Sequence, residues 1–167
     1  LMEQFLPSLI ENTPNADFYV IDNASTDDSC AFLSQHYPQI NQVVLDAKAM
    51  IIHTVSLGGE NLDYTYDGKH LIIDLQNEYT KEESYTLYIK YTARPEKVKE
   101  KGSAAITSAK GLYFINPTGS DANKPTQIWT QGETEASSCW FPTIDSPNQK
   151  TSQEIYITVP NRFKTLS

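Results

Sequence analysis

From residue 42 onward the chain alternates apolar and polar residues with period two, in short runs separated by turn residues. Successive side chains of a strand point to opposite faces, so runs of this kind suit sheets that bury one face. Such runs lie at residues 42–46 and at 50–57, the second closed by Gly58-Gly59. Residues 62–66 and 70–75 flank Asp67-Gly68, a dipeptide that readily adopts the left-handed backbone of a tight hairpin. Residues 85–92 alternate cleanly, 111–115 and 127–130 form shorter runs, and 154–159 form the last. Strands this short and this closely spaced predict a mainly β fold, an antiparallel β-sandwich. Residues 94–110 read as a polar, basic surface loop, with the Lys97, Lys99 and Lys101 cluster diluted by Glu96 and Glu100. No internal repeat is visible.

The first 41 residues follow a different rule. They hold Glu3, Glu11, Asp17, Asp22, Asp27 and Asp28 but no Lys or Arg, whereas the rest is nearly balanced. A solvating acidic tail would lack apolar residues, and this segment has many. Phe5, Leu6, Leu9 and Ile10 have helical spacing, ended by Asn12-Thr13-Pro14-Asn15. Residues 17–21 read as a short buried strand, followed by a polar turn at 22–28. Thr26 or Asp27 would cap a second helix carrying Cys30, Phe32 and Leu33, which Pro38 stops. The expected organisation is a helix–strand–helix α/β segment at 1–41 and a β-domain at 42–167.

A net charge of −8 argues against non-specific nucleic-acid binding, which needs clustered cations to displace counterions. No run approaches the roughly 18 apolar residues of a membrane-spanning helix. No signal peptide is visible, and the start at Leu1 suggests a piece of a longer parent, so the compartment stays open. Cys30 and Cys139 are too few for a disulfide framework and read as free buried thiols. His36, His53 and His70 do not form the H-E-x-x-H pattern that places two metal ligands on one helix face, so no metal site is expected here. His53 and His70 read as ordinary sheet residues.

Specific motifs then narrow the β-domain. They are Val43-Val44-Leu45-Asp46-Ala47, the run from Tyr85 to Ala93, Gly111-Leu112-Tyr113-Phe114, and above all the stretch from Gln131 to Lys150. That stretch holds Gln131-Gly132-Glu133, then Phe141-Pro142-x-x-Asp145-x-Pro147, then Lys150, a strand and Val159-Pro160. With these features residues 42–167 resemble the amino-terminal β-domain of M1-family zinc aminopeptidases. The resemblance implies that Glu133 binds the free α-amino group of a peptide substrate, that Gln131 shapes the pocket beside it, and that Glu135 contributes nearby. It implies zinc in the parent enzyme, held by motifs that this chain lacks, and therefore no catalytic residue and no cofactor in this chain. The remaining catalytic domain of the parent would be its partner. On residue types alone, Glu133 and Glu135 read as solvated turn acids, Trp129, Trp140 and Phe141 as core, and Pro142 and Pro147 as turn stiffeners.

In the first segment, Phe5-Leu6-Pro7-Ser8-Leu9 and the run from Tyr19 to Ser29 resemble the start of a family 2 glycosyltransferase. That resemblance implies a nucleotide-binding role for Asp22 and Asn23 at the end of the first strand. A turn and a helix cap explain the same residues without a ligand. Asn23-Ala24-Ser25 also spells a glycosylation sequon. An M1 β-domain would open with further strands before Val43, so an uncovered sheet edge, covered by residues 1–41 or by a second chain, is expected. The favoured reading is a fragment of an M1-like zinc aminopeptidase. The alternatives are a glycosyltransferase fragment and a non-catalytic β-sandwich used for binding or structure.

Overall fold

The structure, a computed structural model, describes residues 6–8, 11–12, 31–32, 40–80, 83–99 and 109–165. Its elements are β1 (Ile40–Asp46), β2 (Ile51–Leu57), β3 (Glu60–Asn61), β4 (Tyr64–Tyr66), β5 (His70–Tyr79), β6 (Leu87–Thr92), a 3-10 turn at Pro95–Lys97, β7 (Leu112–Ile115), β8 (Gln127–Thr130) and a second 3-10 turn at Ser137–Cys139. The fold is mainly β. β1, β5 and β4 form one antiparallel sheet, β3, β2 and β6 a second, and β7 with β8 a third.

The first two sheets face each other across one core. β5 contributes Leu71, Ile73 and Leu75, all buried, at the period of two that its sequence shows. Val43 and Leu45 of β1 stand in register with Ile73 and Leu71. From the other sheet come Val55, with Ile52 and Leu57 beside it on β2 and Leu87, Ile89 and Tyr91 on β6. The register of β2 on β6 slips between Ile52 and Thr54, which leaves His53 as a bulge. That extra residue shifts the alternation, so Ile52 and Val55, three positions apart, both reach the core. His53 stays exposed, and its Nε2 lies 2.8 Å from Thr92 Oγ1.

The strand expected at 62–66 is shorter in the structure, running only from Tyr64 to Tyr66, and a separate short strand, β3, precedes it at Glu60–Asn61. β3 pairs with β2, whereas β4 pairs with β5, so the chain changes sheet between them. Leu62 is buried at that crossing, and its N–H donates to Val55 O at 2.9 Å. The strand expected at 154–159 is a second correction. These residues lie outside every sheet of the described residues, with Tyr156 89% exposed. Their alternation favours a pleated backbone, but a strand exists only beside a hydrogen-bonding neighbour. The loop expected at 94–110 contains the Pro95–Lys97 turn, with Pro95 buried. Its Arg94 Nε donates to Ala49 O at 3.1 Å.

In the first segment, residues 6–8 and 11–12 are helical, as are residues 31–32 with Phe32 buried, which agrees with the two expected helices there. The strand expected at 17–21, Cys30, and the candidate nucleotide residues Asp22 and Asn23 lie outside the described residues.

Candidate functional site

One end of the sandwich carries two turns that stitch themselves together. Asp67-Gly68 turns β4 into β5 as its sequence predicts. Asp67 Oδ1 accepts the N–H groups of Lys69 at 2.7 Å and His70 at 2.6 Å, and Gly68 takes φ +93°. The β1–β2 turn lies against it: Ala47 N–H donates to Lys69 O at 2.7 Å and Ala49 N–H to Gly68 O at 2.8 Å. Tyr66 closes the turn from beneath. Its hydroxyl donates to Ala47 O at 2.7 Å and accepts Met50 N–H at 2.8 Å. Burial pushes the Tyr66 phenol above its ordinary range.

The Gln131–Glu135 loop lies over these turns. It leaves β8 with Gln131 N–H donating to Gly111 O at 2.9 Å. Gly111 has φ +67°, and a Cβ there would collide with the carbonyl oxygen of Ala136. Only glycine therefore lets β7 approach the loop so closely. Gln131 is half-buried, while residues 132–135 are exposed. Two of the three candidate substrate-binding residues meet: Gln131 Nε2 donates to Glu133 Oε2 at 3.4 Å. Glu135 is placed differently, exposed and with its backbone carbonyl accepting Lys48 Nζ at 2.8 Å. Beneath the loop is a cavity of about 220 Å³ lined by Gly132, Thr134, Ser137, Phe141 and Asp145 among others. Neither Gln131, Glu133 nor Glu135 lines it.

The loop ends in a buried anchor, residues Ala136, Ser138 and Cys139. Ser138 N–H donates to Asp145 Oδ2 at 2.8 Å, and Ser138 O accepts Lys48 N–H at 2.7 Å. Asp145 N–H in turn donates to Asp46 Oδ2 at 2.9 Å. The roles of Asp46, Lys48 and Asp145 are new to the structure. Asp46 and Asp145 stand inside the recognised motifs, but partners 99 residues apart leave no spacing signal. Cys139 is the buried thiol expected, its Sγ donating to Ala109 O at 3.4 Å.

The aromatic residues divide. Trp140 and Phe141 are half-buried and meet edge to face at 4.7 Å between centroids, in keeping with a packing role. Trp129, read as core, is 45% exposed and stacks on Tyr113 at 4.4 Å across the β7–β8 pair. Among the described residues the β7–β8 pair has no further strand beside it. Among the described residues no three His, Cys, Asp or Glu side chains group closely enough to hold a metal ion, and no helix is long and apolar enough to cross a membrane.

No curated protein matches the chain. The family model of the peptidase M1 N-terminal domain matches residues 20–167. The match begins inside the first segment and crosses the expected boundary at residue 41, and nothing in the comparisons supports the glycosyltransferase resemblance. With a mainly β fold, antiparallel sheets and a match over most of its length, the chain belongs to the peptidase M1 N-terminal domain family.

Proposed function

We propose that this chain supplies the amine-recognition part of a zinc aminopeptidase, an enzyme that removes residues from the free amino end of peptides. The Glu133 carboxylate would take the substrate's α-ammonium, and Gln131 would hold that carboxylate in place through its amide. The observation that carries this reading is the Gln131–Glu133 contact, 3.4 Å across an exposed loop that is otherwise anchored. Glu135 would add negative charge beside the site without touching the amine. A carboxylate steered by a neighbouring amide binds an ammonium by charge-assisted hydrogen bonds, and an acylated amino end cannot form them. This is the physical basis for demanding a free amino terminus.

M1-family peptidases depend on zinc, and among the described residues no three His, Cys, Asp or Glu side chains group closely enough to hold one. The metal and the hydrolytic step would belong to a catalytic domain that packs beside this one, and no step of that chemistry is assigned to residues here.

The test is a titration of the chain with leucinamide and with N-acetyl-leucinamide, followed by amide resonances of Gln131 to Glu135. Leucinamide is expected to bind weakly and shift those resonances, and the acetylated analogue to leave them in place. Glu133→Ala should weaken leucinamide binding about ten- to a hundredfold, the worth of one charge-assisted hydrogen bond of roughly 1.5–3 kcal/mol. Equal binding of both amides, or full affinity in Glu133→Ala, would reject the assignment.

A further inference from the structure

The geometry points to Asp145 and Asp46 as positioning residues that set the shape of the Gln131–Glu135 loop, an inference that rests on the amine-binding role proposed for Glu133. The exposed limb of the loop, residues 132–135, has little of its own to fix it. Its only internal backbone bond among the described residues runs from Ala136 N–H to Gly132 O at 3.0 Å. The residues just beyond that limb act as a rivet. Ser138 is wholly buried, and both of its backbone polar groups are satisfied from outside the loop, the N–H by the Asp145 carboxylate and the carbonyl by Lys48 N–H.

Asp145 is itself held. Its own N–H ends on the Asp46 carboxylate, and Asp46 exchanges two backbone hydrogen bonds with Thr143, at 2.7 and 3.0 Å. The result is a ladder from the end of β1 through Asp46 and Asp145 to Ser138, with a side branch from Lys48 Nζ to Glu135 O. A carboxylate suits each rung because it only accepts, and a bond from N–H to an ionised oxygen is about twice as strong as a neutral one. The bonds of the ladder involve the side chains of neither Gln131 nor Glu133. The ladder acts through the backbone, by fixing where Glu133 stands relative to Gln131.

The test compares the wild-type chain with Asp145→Ala, Asp145→Asn, Glu133→Ala and the double variant of Glu133→Ala with Asp145→Ala. Amide hydrogen exchange is read without ligand. In Asp145→Ala, exchange at Ser138 and Cys139 should rise at least tenfold, while Leu71 and Ile73 of β5 stay protected. Unchanged exchange at Ser138 would overturn the inference, whatever the chain binds. Leucinamide titration then asks whether the ladder acts through Glu133. Asp145→Ala should lose at least tenfold in affinity, Asp145→Asn should recover most of it, and the double variant should bind no worse than Glu133→Ala alone. Additive losses, or no recovery in Asp145→Asn, would make Asp145 a general support of the fold and reject the positioning role. Should Asp145→Ala fail to fold, Asp145→Asn carries the exchange test, with a several-fold rise at Ser138 expected and no rise rejecting it. If wild-type chain ignores leucinamide, the amine-binding reading fails, and the positioning role toward it falls too, even where exchange proves the rivet real.

Discussion

Asp67 shows how one side chain can write a turn. Its carboxylate accepts His70 N–H, the His70 ring at 3.0 Å and Lys69 N–H, and these bonds, the His70 backbone first, hold its carboxyl well below the usual aspartate range. A group whose pKa falls on folding stabilises the fold above its unfolded value and loses that contribution as pH drops toward the folded one. Thermal stability should therefore hold from neutrality down to about pH 5 and then decline as pH passes below the ordinary aspartate range near 3.9. In Asp67→Asn the part of that decline due to this residue should vanish. Because Asp67 is exposed, water screens the effect and the change will be small. Melting temperature against pH, for both proteins, is the measurement. Identical slopes below pH 4 would show that the turn does not depend on the charge. Gly111 offers a stronger single-residue test. Gly111→Ala combines a left-handed backbone with a collision against Ala136 O and should cost about 1–3 kcal/mol. Denaturant titration measures it, and a loss under 0.5 kcal/mol would mean that the β7–loop contact yields easily.

The strands show where a linear pattern reads true and where it cannot. Residues 70–75 were legible because Leu71, Ile73 and Leu75 alternate, and the hairpin because Asp67-Gly68 has little other use. The His53 bulge was not legible, since an extra residue in a register is a property of two strands. The break between β3 and β4 was hidden for the same reason: Leu62 looks like a strand residue, and only the presence of two sheets makes it a crossing. Residues 154–159 looked like a strand because propensity is local, whereas hydrogen-bond partners are not. In the site, the motif singled out Gln131 and Glu133, yet the anchors Asp46, Lys48 and Asp145 emerge only when β1 folds beside the loop. At this scale Tyr66 is the test. Its hydroxyl serves two backbone groups at the β1–β2 turn, so Tyr66→Phe would leave the Ala47 carbonyl and the Met50 N–H unpaired in a buried setting. A loss of about 1–3 kcal/mol is expected. Leu71→Ala, which opens the core between the sheets, should cost more, about 2–5 kcal/mol. The reverse order of the two would place the weight of the fold in the turn.

At the scale of the whole molecule, apolar surface of the described residues stands uncovered on β7–β8 and along 154–159, among other places. On β7 and β8, Phe114 and Ile128 stand directly opposite each other, and Ile128 is 59% exposed. Along 154–159, Ile155, Tyr156 and Ile157 are all exposed and lie outside the sheets of the described residues. Exposed β-branched and aromatic residues that can take up a strand are a template for pairing with another chain. In a larger enzyme, other parts of the protein would cover such surfaces. In the isolated chain, association between copies is the available substitute, against which a net charge of −8 works by mutual repulsion. The repulsion is long-range and screened by salt, over about 8 Å at physiological ionic strength, whereas apolar burial is not. Light scattering across protein concentration should therefore show association that grows with added salt. Ile155→Lys with Ile157→Lys should suppress it and leave the melting temperature unchanged, because those side chains touch neither sheet core. Phe114→Thr with Ile128→Thr should have a smaller effect, since β7 and β8 already satisfy one another's backbone groups. A chain that stays monomeric at high salt, or associates equally well in the double lysine variant, would show that residues 154–159 are not the adhesive edge.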